Sequence, residues 1–404
     1  MSGPRMRDHG AAHRAATPLE LFFDLCFVVA VALLAAELHY ALAEGRALEG
    51  LLRYLVLFAP VWWAWMSYTW FATAFDHDDP VTRVLTFAQM AGVIAVAATV
   101  HDAFDGDPVP LALAYVAMRT PLVVQWARAA RADAAHRGFA SAYALGTVAA
   151  QVLVLLGAAL HLADGTRPAS YALFAAAALV ELATPTVAVP RSPGPVFHPG
   201  HVAERYGLFT IIVLGESVLA ATIGLDEAGG LVDARAGTVV VAGLLVTFAL
   251  WWLYFAALGT DALTRNRSAA FGWGYGHYLL FAAVAAVGAA LQAQLEGVAD
   301  AAYASGVTAG GAALLAALAA VLATLAWLGR TAGNPVRTYV VGAVLSGAAA
   351  VLALPALLGG EGSVLTTVLA AGLAVGVLVA RLRDPARGGA AAPAGEPAAT
   401  PTPG

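Results

Sequence analysis

Lysine is missing from the 404-residue chain, cysteine occurs once, at Cys26, and charge of either sign is scarce, at 12% of residues. A single cysteine in an apolar stretch excludes an intrachain disulfide and a cysteine-rich metal site, and reads as a small core residue. So little charge excludes an ordinary soluble domain, where about a quarter of residues are charged. No Walker loop, dinucleotide fingerprint or nucleophile elbow is present. No basic stripe marks a nucleic-acid partner either.

What is there is apolar sequence. The chain is 60% hydrophobic, with a mean hydropathy of +0.76, and it holds repeated runs of about 20 residues, the length that crosses a hydrocarbon core of about 30 Å. Twelve runs can be drawn, at 19–43, 51–75, 82–104, 109–130, 139–163, 169–189, 205–224, 236–258, 270–295, 304–328, 336–358 and 363–381. The expectation is an all-α polytopic transmembrane bundle of about twelve helices whose first partner is a lipid bilayer. The first run is too long and too acidic at its start for a cleaved signal peptide, so it stays as a helix.

All 21 basic residues are Arg, and they sort by side. The N-terminus, alternate loops and the tail hold 16; the opposite loops hold four, Arg46, Arg53, Arg167 and Arg235. Arg119 lies inside a run. The positive-inside rule then puts both termini in the cytoplasm and requires an even number of spans.

The two halves echo each other. "LELFFDLCFVVAVALL" has a counterpart in "AERYGLFTIIVLGESVL", and "FAPVWWAWMSYTWFATAFD" in "VTFALWWLYFAALGTD". Glu20 to Trp62 is 42 residues and Glu204 to Trp251 is 47. The division expected is a cytoplasmic segment 1–17, a six-helix repeat 18–190, a parallel six-helix repeat 191–382, and a disordered Pro/Ala/Gly-rich tail 383–404.

The chemistry-bearing residues are those that a bilayer makes expensive, since a charge at mid-membrane costs about 2.5–3.5 kcal/mol on insertion scales. Glu20 and Asp24 are one helical turn apart and share a face. Glu20 also suits a helix start; Asp24 is too short to reach headgroup water and is expected to face the interior. Arg205, beside Glu204 at the start of the seventh run, is a candidate to answer them. Glu216 lies about three turns inside that run, and Glu181 is a second deep acid. Arg119 and His277 are candidate counter-charges. The tryptophans at 62, 63, 65, 251 and 252 read as packing or interfacial anchors.

Two loops could hold a cation. In "TAFDHDDPVTRVL", Asp76, Asp78 and Asp79 are hard oxygen ligands suited to Mg²⁺, while Asp79-Pro80 equally spells a helix cap followed by a first-turn proline. In "FHPGHVAERYG", His198, His201 and Glu204 are a weaker transition-metal set, because Pro199-Gly200 interrupts helical spacing.

Three stretches in this order, "TPLELFFDLCFVVAVA", "FDHDDPVTRVLTFAQM" and "HVAERYGLFTIIVLGESVLA", resemble the low temperature requirement protein A family of bacterial polytopic membrane proteins. The resemblance spans about residues 17–380 and implies that fold and a bacterial inner-membrane location. The opening also distantly resembles the F-S-D helix of a potassium channel family built from two six-helix repeats, with Phe22-Phe23-Asp24 in its place. Two functions fit these residues. One is a transporter or channel for a small solute, ion or proton that uses intramembrane carboxylates. The other is a Mg²⁺-dependent enzyme acting on a lipid-like prenyl diphosphate through Asp76, Asp78 and Asp79.

Overall fold

The computed structural model describes residues 4–7, 15–76, 78–163, 167–227, 233–258, 263, 270–300, 303–331, 336–359 and 364–383. The expected tail beyond Arg383, the loop with Arg265 and Arg267, His77 and the side chain of Asp76 lie outside the described residues.

Twelve helices of 18 residues or more fall on the expected runs: α1 (Pro18–Ala43), α2 (Ala47–Ala74), α3 (Pro80–Ala98), α5 (Val109–Ala132), α6 (Arg137–Leu162), α7 (Arg167–Ala188), α8 (Pro199–Glu227), α9 (Ala234–Ala257), α10 (Ala270–Ala299), α11 (Ala304–Thr331), α12 (Arg337–Gly359) and α13 (Leu365–Leu382). The third expected run is broken at Thr99, so α3 is followed by a short α4 (Val100–Phe104). Over the described residues, ten of the long helices have the length and hydropathy to cross a membrane. The other two are α5, made more polar by Arg119, Gln125, Arg128 and Arg131, and α12, apolar over Arg337–Val351, the part whose side chains are described.

Local chemistry sets the helix starts. Thr17 and Glu20 form a capping box at α1: the Glu20 amide donates to Thr17 Oγ1 at 3.3 Å and the Thr17 amide to Glu20 Oε2 at 2.7 Å, with Pro18 in the first turn. Asp79 caps α3 by accepting the Thr82 amide at 2.6 Å, ahead of Pro80. The turn between α1 and α2 passes through Gly45 at φ +77°, a conformation glycine adopts without a Cβ clash.

Along α1 the large apolar side chains divide by face. Leu21, Leu25, Val29 and Leu33, four apart, are exposed on one stripe, while Phe23, Phe27, Leu34 and Leu38 are buried. This is an apolar surface around a packed interior, as lipid contact requires. Small residues permit the closest approach. A Cβ on Gly306 or Gly310 of α11 would stand 2.6 Å from the carbonyl oxygens of Ala293 or Ala290 of α10.

The neighbour order of the two halves agrees in part, since α13 also packs on α9 and α11 with no first-half pairing of that extent. α1 packs on α2 and α3, α3 on α5, α5 on α6 and α6 on α7; likewise α8 packs on α9 and α10, α10 on α11, α11 on α12 and α12 on α13. α1 also meets α8 and α10 directly, so the first helices of the halves lie side by side. Arg5–Met6 pairs antiparallel with Phe75–Asp76, and the Met6 amide donates to Asp133 Oδ2 at 2.9 Å. The N-terminal segment, the α2–α3 loop and the α5–α6 loop therefore share one end of the bundle.

Candidate functional site

At that end of α1, Glu20 and Asp24 face α8. Asp24 receives a two-pronged guanidinium, Arg205 Nε donating to Oδ2 at 2.9 Å and Nη2 to Oδ1 at 2.5 Å, and its Oδ1 also accepts the Trp65 indole N–H at 2.6 Å. Arg205 Nη1 stands 3.2 Å from Glu20 Oε1, and His201 Nε2 stands 3.1 Å from the same oxygen. Asp24 and Arg205 are both at 0% exposure. Helical spacing explains the match: residues 20 and 24 on α1, and 201 and 205 on α8, are each one turn apart. Charge of opposite sign on facing one-turn ladders is the form in which ions survive burial.

Trp65, expected as a packing anchor, is a donor to the site. Its ring also stacks on Phe209 at 4.2 Å, and Phe209 meets Phe281 at 4.9 Å. An aromatic layer thus lies directly inward of the ions. His201 pairs with Glu20, while His198 Nδ1 accepts the His201 amide at 3.2 Å at the start of α8. Glu204 is half-buried and is not part of this cluster. No group of three or more His, Cys, Asp or Glu placed to hold a metal occurs among the described residues.

The acidic loop is divided between two arginines. Asp79 accepts the Thr82 amide and, at 2.6 Å, Arg128 Nη2. Asp78, at 69% exposure, takes Arg83 Nε at 2.7 Å and Nη2 at 2.8 Å. Partial burial works against the charged form of Asp79, but the Thr82 and Arg128 hydrogen bonds outweigh it and hold the group at about 2. In these contacts Asp79 serves as a helix cap and Asp78 as half of an exposed ion pair.

A second buried cluster lies wholly in the first half. Glu181 on α7 accepts Tyr115 Oη at 2.7 Å and Gln151 Nε2 at 2.8 Å, and stands 3.3 Å from Arg119 Nη2. Pro121 and Pro185 sit inside these two helices, α5 and α7. His277, a candidate counter-charge in the sequence, has no carboxylate at ion-pair distance among the described residues. Its Nδ1 is 2.7 Å from the Trp273 carbonyl and its Nε2 is 3.2 Å from Tyr254 Oη, a pattern that the neutral Nδ1–H ring satisfies.

Glu216 stands apart. It is 7% exposed, deep in α8, and its Oε2 has no hydrogen-bond partner. The neighbouring Ser217 Oγ is also unpartnered, and Gly288 of α10 packs against the Ser217 backbone, where an added Cβ would meet Cα at 3.2 Å. Further along α10, Glu296 pairs with His39 of α1 at 2.5 Å, a contact with no motif in the sequence beyond two polar residues in apolar runs. From Arg205 to Glu216 is about 16 Å and from Gly288 to Glu296 about 12 Å at the helical rise of 1.5 Å per residue. The α1/α8/α10 seam therefore carries polar groups at three levels, spread over roughly the thickness of a hydrocarbon core.

A bundle of long apolar helices with ion pairs sealed inside defines the class, a polytopic helical membrane protein. The chain belongs to the family described as bacterial low temperature requirement A protein (LtrA), whose model matches residues 15–380. It is 31% identical over 276 residues to an uncharacterized protein of Rhizobium meliloti (strain 1021), an alignment that covers 64% of each chain. The matched stretch is thus a little under two thirds of that relative's length.

Proposed function

We propose that this protein carries a proton or a small monovalent cation across the bacterial inner membrane, with both termini cytoplasmic and the α1/α8/α10 seam as the route. The observation that carries the reading is the buried Glu216 carboxyl with an unpartnered Oε2. In a low-dielectric interior a carboxylate left in that state is costly, so the group holds a proton or takes a cation, and exchange between these states is the elementary step of transport. The Asp24–Arg205 pair, neutralised and immobilised, acts as the fixed element beside which the seam opens. The aromatic layer of Trp65, Phe209 and Phe281 between that pair and Glu216 closes the route in this conformation.

The parallel-repeat organisation, 18–190 with 191–382, belongs to the same reading. It is supported by the partly shared neighbour order of the halves and by α1 lying against α8, as first helices do around an axis along the membrane normal. Alternating access would then be rocking of one half against the other about the ion cluster.

The test is flux into proteoliposomes under imposed proton, sodium and potassium gradients, with Glu216→Gln beside the unaltered protein. Uptake of one of these ions that is lost in the variant, while thermal unfolding is unchanged, is the expected result. An unaltered protein that moves none of them, or a variant that moves them equally, overturns the reading.

A further inference from the structure

α1 makes a histidine–glutamate contact with the second half of the chain near each of its ends. At its start Glu20 meets His201 of α8 at 3.1 Å, and towards its end His39 meets Glu296 of α10 at 2.5 Å. From Glu20 to His39 is 19 residues. At the helical rise that is about 28 Å, close to the thickness of a hydrocarbon core.

The two contacts differ in what backs them. The carboxylate oxygen of Glu20 that meets His201 is also 3.2 Å from the Arg205 guanidinium, whose charge does not titrate. Glu296 has only His39 at ion-pair distance among the described residues. The Glu296 side chain is 20% exposed and His39 is 2% exposed, so the carboxylate reaches the surface while the imidazole is enclosed by helices. Small residues bring those helices together. A Cβ on Gly306 of α11 would stand 2.6 Å from the Ala293 carbonyl oxygen of α10 and 3.3 Å from Ala43 Cα of α1.

The other charges at this end have contacts of their own or lie at the surface. On α1, Glu37 pairs with His101 of α4 at 2.8 Å, Glu44 pairs with Arg46, and the Tyr40 ring lies 4.6 Å from that of His39. On α2, Arg53 pairs with Glu49 at 2.6 Å. Asp102 of α4, Asp226 of α8 and Asp300 after α10 are exposed, and Tyr303 precedes α11. The arginines within α3 and α11, Arg83 and Arg330, belong to the opposite end.

We propose that His39 and Glu296 form a proton-responsive latch between the two halves, shut when His39 is charged and released when it is neutral. Imidazole changes charge between about pH 5 and 8, while a carboxylate remains ionised across that range. Loss of the His39 proton therefore leaves Glu296 charged beside a neutral ring in a mostly apolar surround. Hydrating that carboxylate requires α1 and α10 to part. The Glu20 end, held by Arg205, does not respond in this way. That the latch gates transport rests on the seam being the route proposed above.

The experiment is hydrogen–deuterium exchange of the full chain in lipid nanodiscs at about pH 5.5 and about pH 8, corrected for intrinsic exchange. Peptides covering 36–43 and 292–299 should lose protection about tenfold at the higher pH, the difference between a charge-assisted and a neutral hydrogen bond. The step should vanish in His39→Gln and in Glu296→Gln, and persist in His101→Gln, which removes the exposed imidazole at the same end. A parent without the step overturns the proposal, as does a step that survives in either of the first two variants or disappears in the third. Should His39→Gln fail to fold, Glu296→Gln decides. Ion flux, measured separately, distinguishes the two readings: the step without flux in any form removes transport and leaves the latch, and flux without the step removes the latch and leaves transport.

Discussion

Two buried arginine–carboxylate clusters among the described residues differ in how closely their charges pair. Around Arg205, the Asp24 carboxylate takes both prongs of the guanidinium and an indole N–H, and Glu20 takes a backbone amide, a guanidinium nitrogen and an imidazole. Around Arg119, the pairing is longer and a partly open cavity adjoins it, while each guanidinium has one nitrogen without a hydrogen-bond partner, Nε in Arg119 and Nη1 in Arg205. The first joins helices from the two halves; the second ties α5, α6 and α7 within one half. Burial alone therefore does not say what an ion pair does. An ion held by a short two-pronged pair across two helices is a fixed joint, and one held by a single longer contact beside a cavity is the looser of the two.

The sharpest way to break this comparison is to remove Arg205. Arg205→Gln strands Glu20 and Asp24 in the interior, and a loss of about 3–5 kcal/mol of stability is expected, read as failure to remain monodisperse in detergent or as a large fall in unfolding midpoint. Arg205→Lys should recover only part, because an ammonium cannot reproduce the two-pronged geometry. A variant as stable as the parent would show that Asp24 and Glu20 do not depend on the guanidinium.

Next in size is the second cluster. Glu181→Gln keeps the shape and a carbonyl to accept from Tyr115, and water can enter the cavity beside Arg119, so a loss of about 1–3 kcal/mol is expected. Equal losses at Arg205→Gln and Glu181→Gln would erase the distinction drawn between a closed and an open cluster.

Asp79 and Asp78 extend the series to the surface. Asp79→Ala removes the α3 cap and should cost about 0.5–2 kcal/mol. The sign with pH follows from the depressed group: its contribution is present above the ordinary carboxylate value of 3.8 and is lost as pH falls through about 2. The stability difference between the parent and Asp79→Ala, followed by unfolding midpoint between pH 5 and pH 2, should narrow over that window. A constant difference would assign the effect to the helix backbone instead. Smallest of all, Asp78→Ala removes an exposed pair with Arg83 and should change the midpoint by an amount near the limit of detection, about 0–1 kcal/mol.

Much of the architecture was legible in the residues. Apolar runs of bilayer length located every long helix, because a helix is the one local structure that satisfies its own backbone in lipid, and Pro, Gly and acid caps marked the ends. Glu20, Asp24, Arg205, Glu181, Arg119 and Glu216 stood out since charge in such runs is costly. The break at Thr99 was not legible, as no glycine or proline announces it.

Which charges meet was decided only in three dimensions. Asp24 and Arg205 are 181 residues apart, and Arg119 and Glu181 are 62 apart. Nothing local distinguishes Glu181, which finds an arginine, from Glu216, whose Oε2 finds no hydrogen-bond partner; nor Trp65, which donates to an aspartate, from Trp63, whose N–H finds no partner. The sequence by itself determined the number, length and polarity of the helices, because hydration and backbone hydrogen bonding act residue by residue along a chain. The tertiary structure decided the partners, because an ion pair depends on the rotation and depth of two helices at once, and those are set by packing of the small and aromatic residues between them.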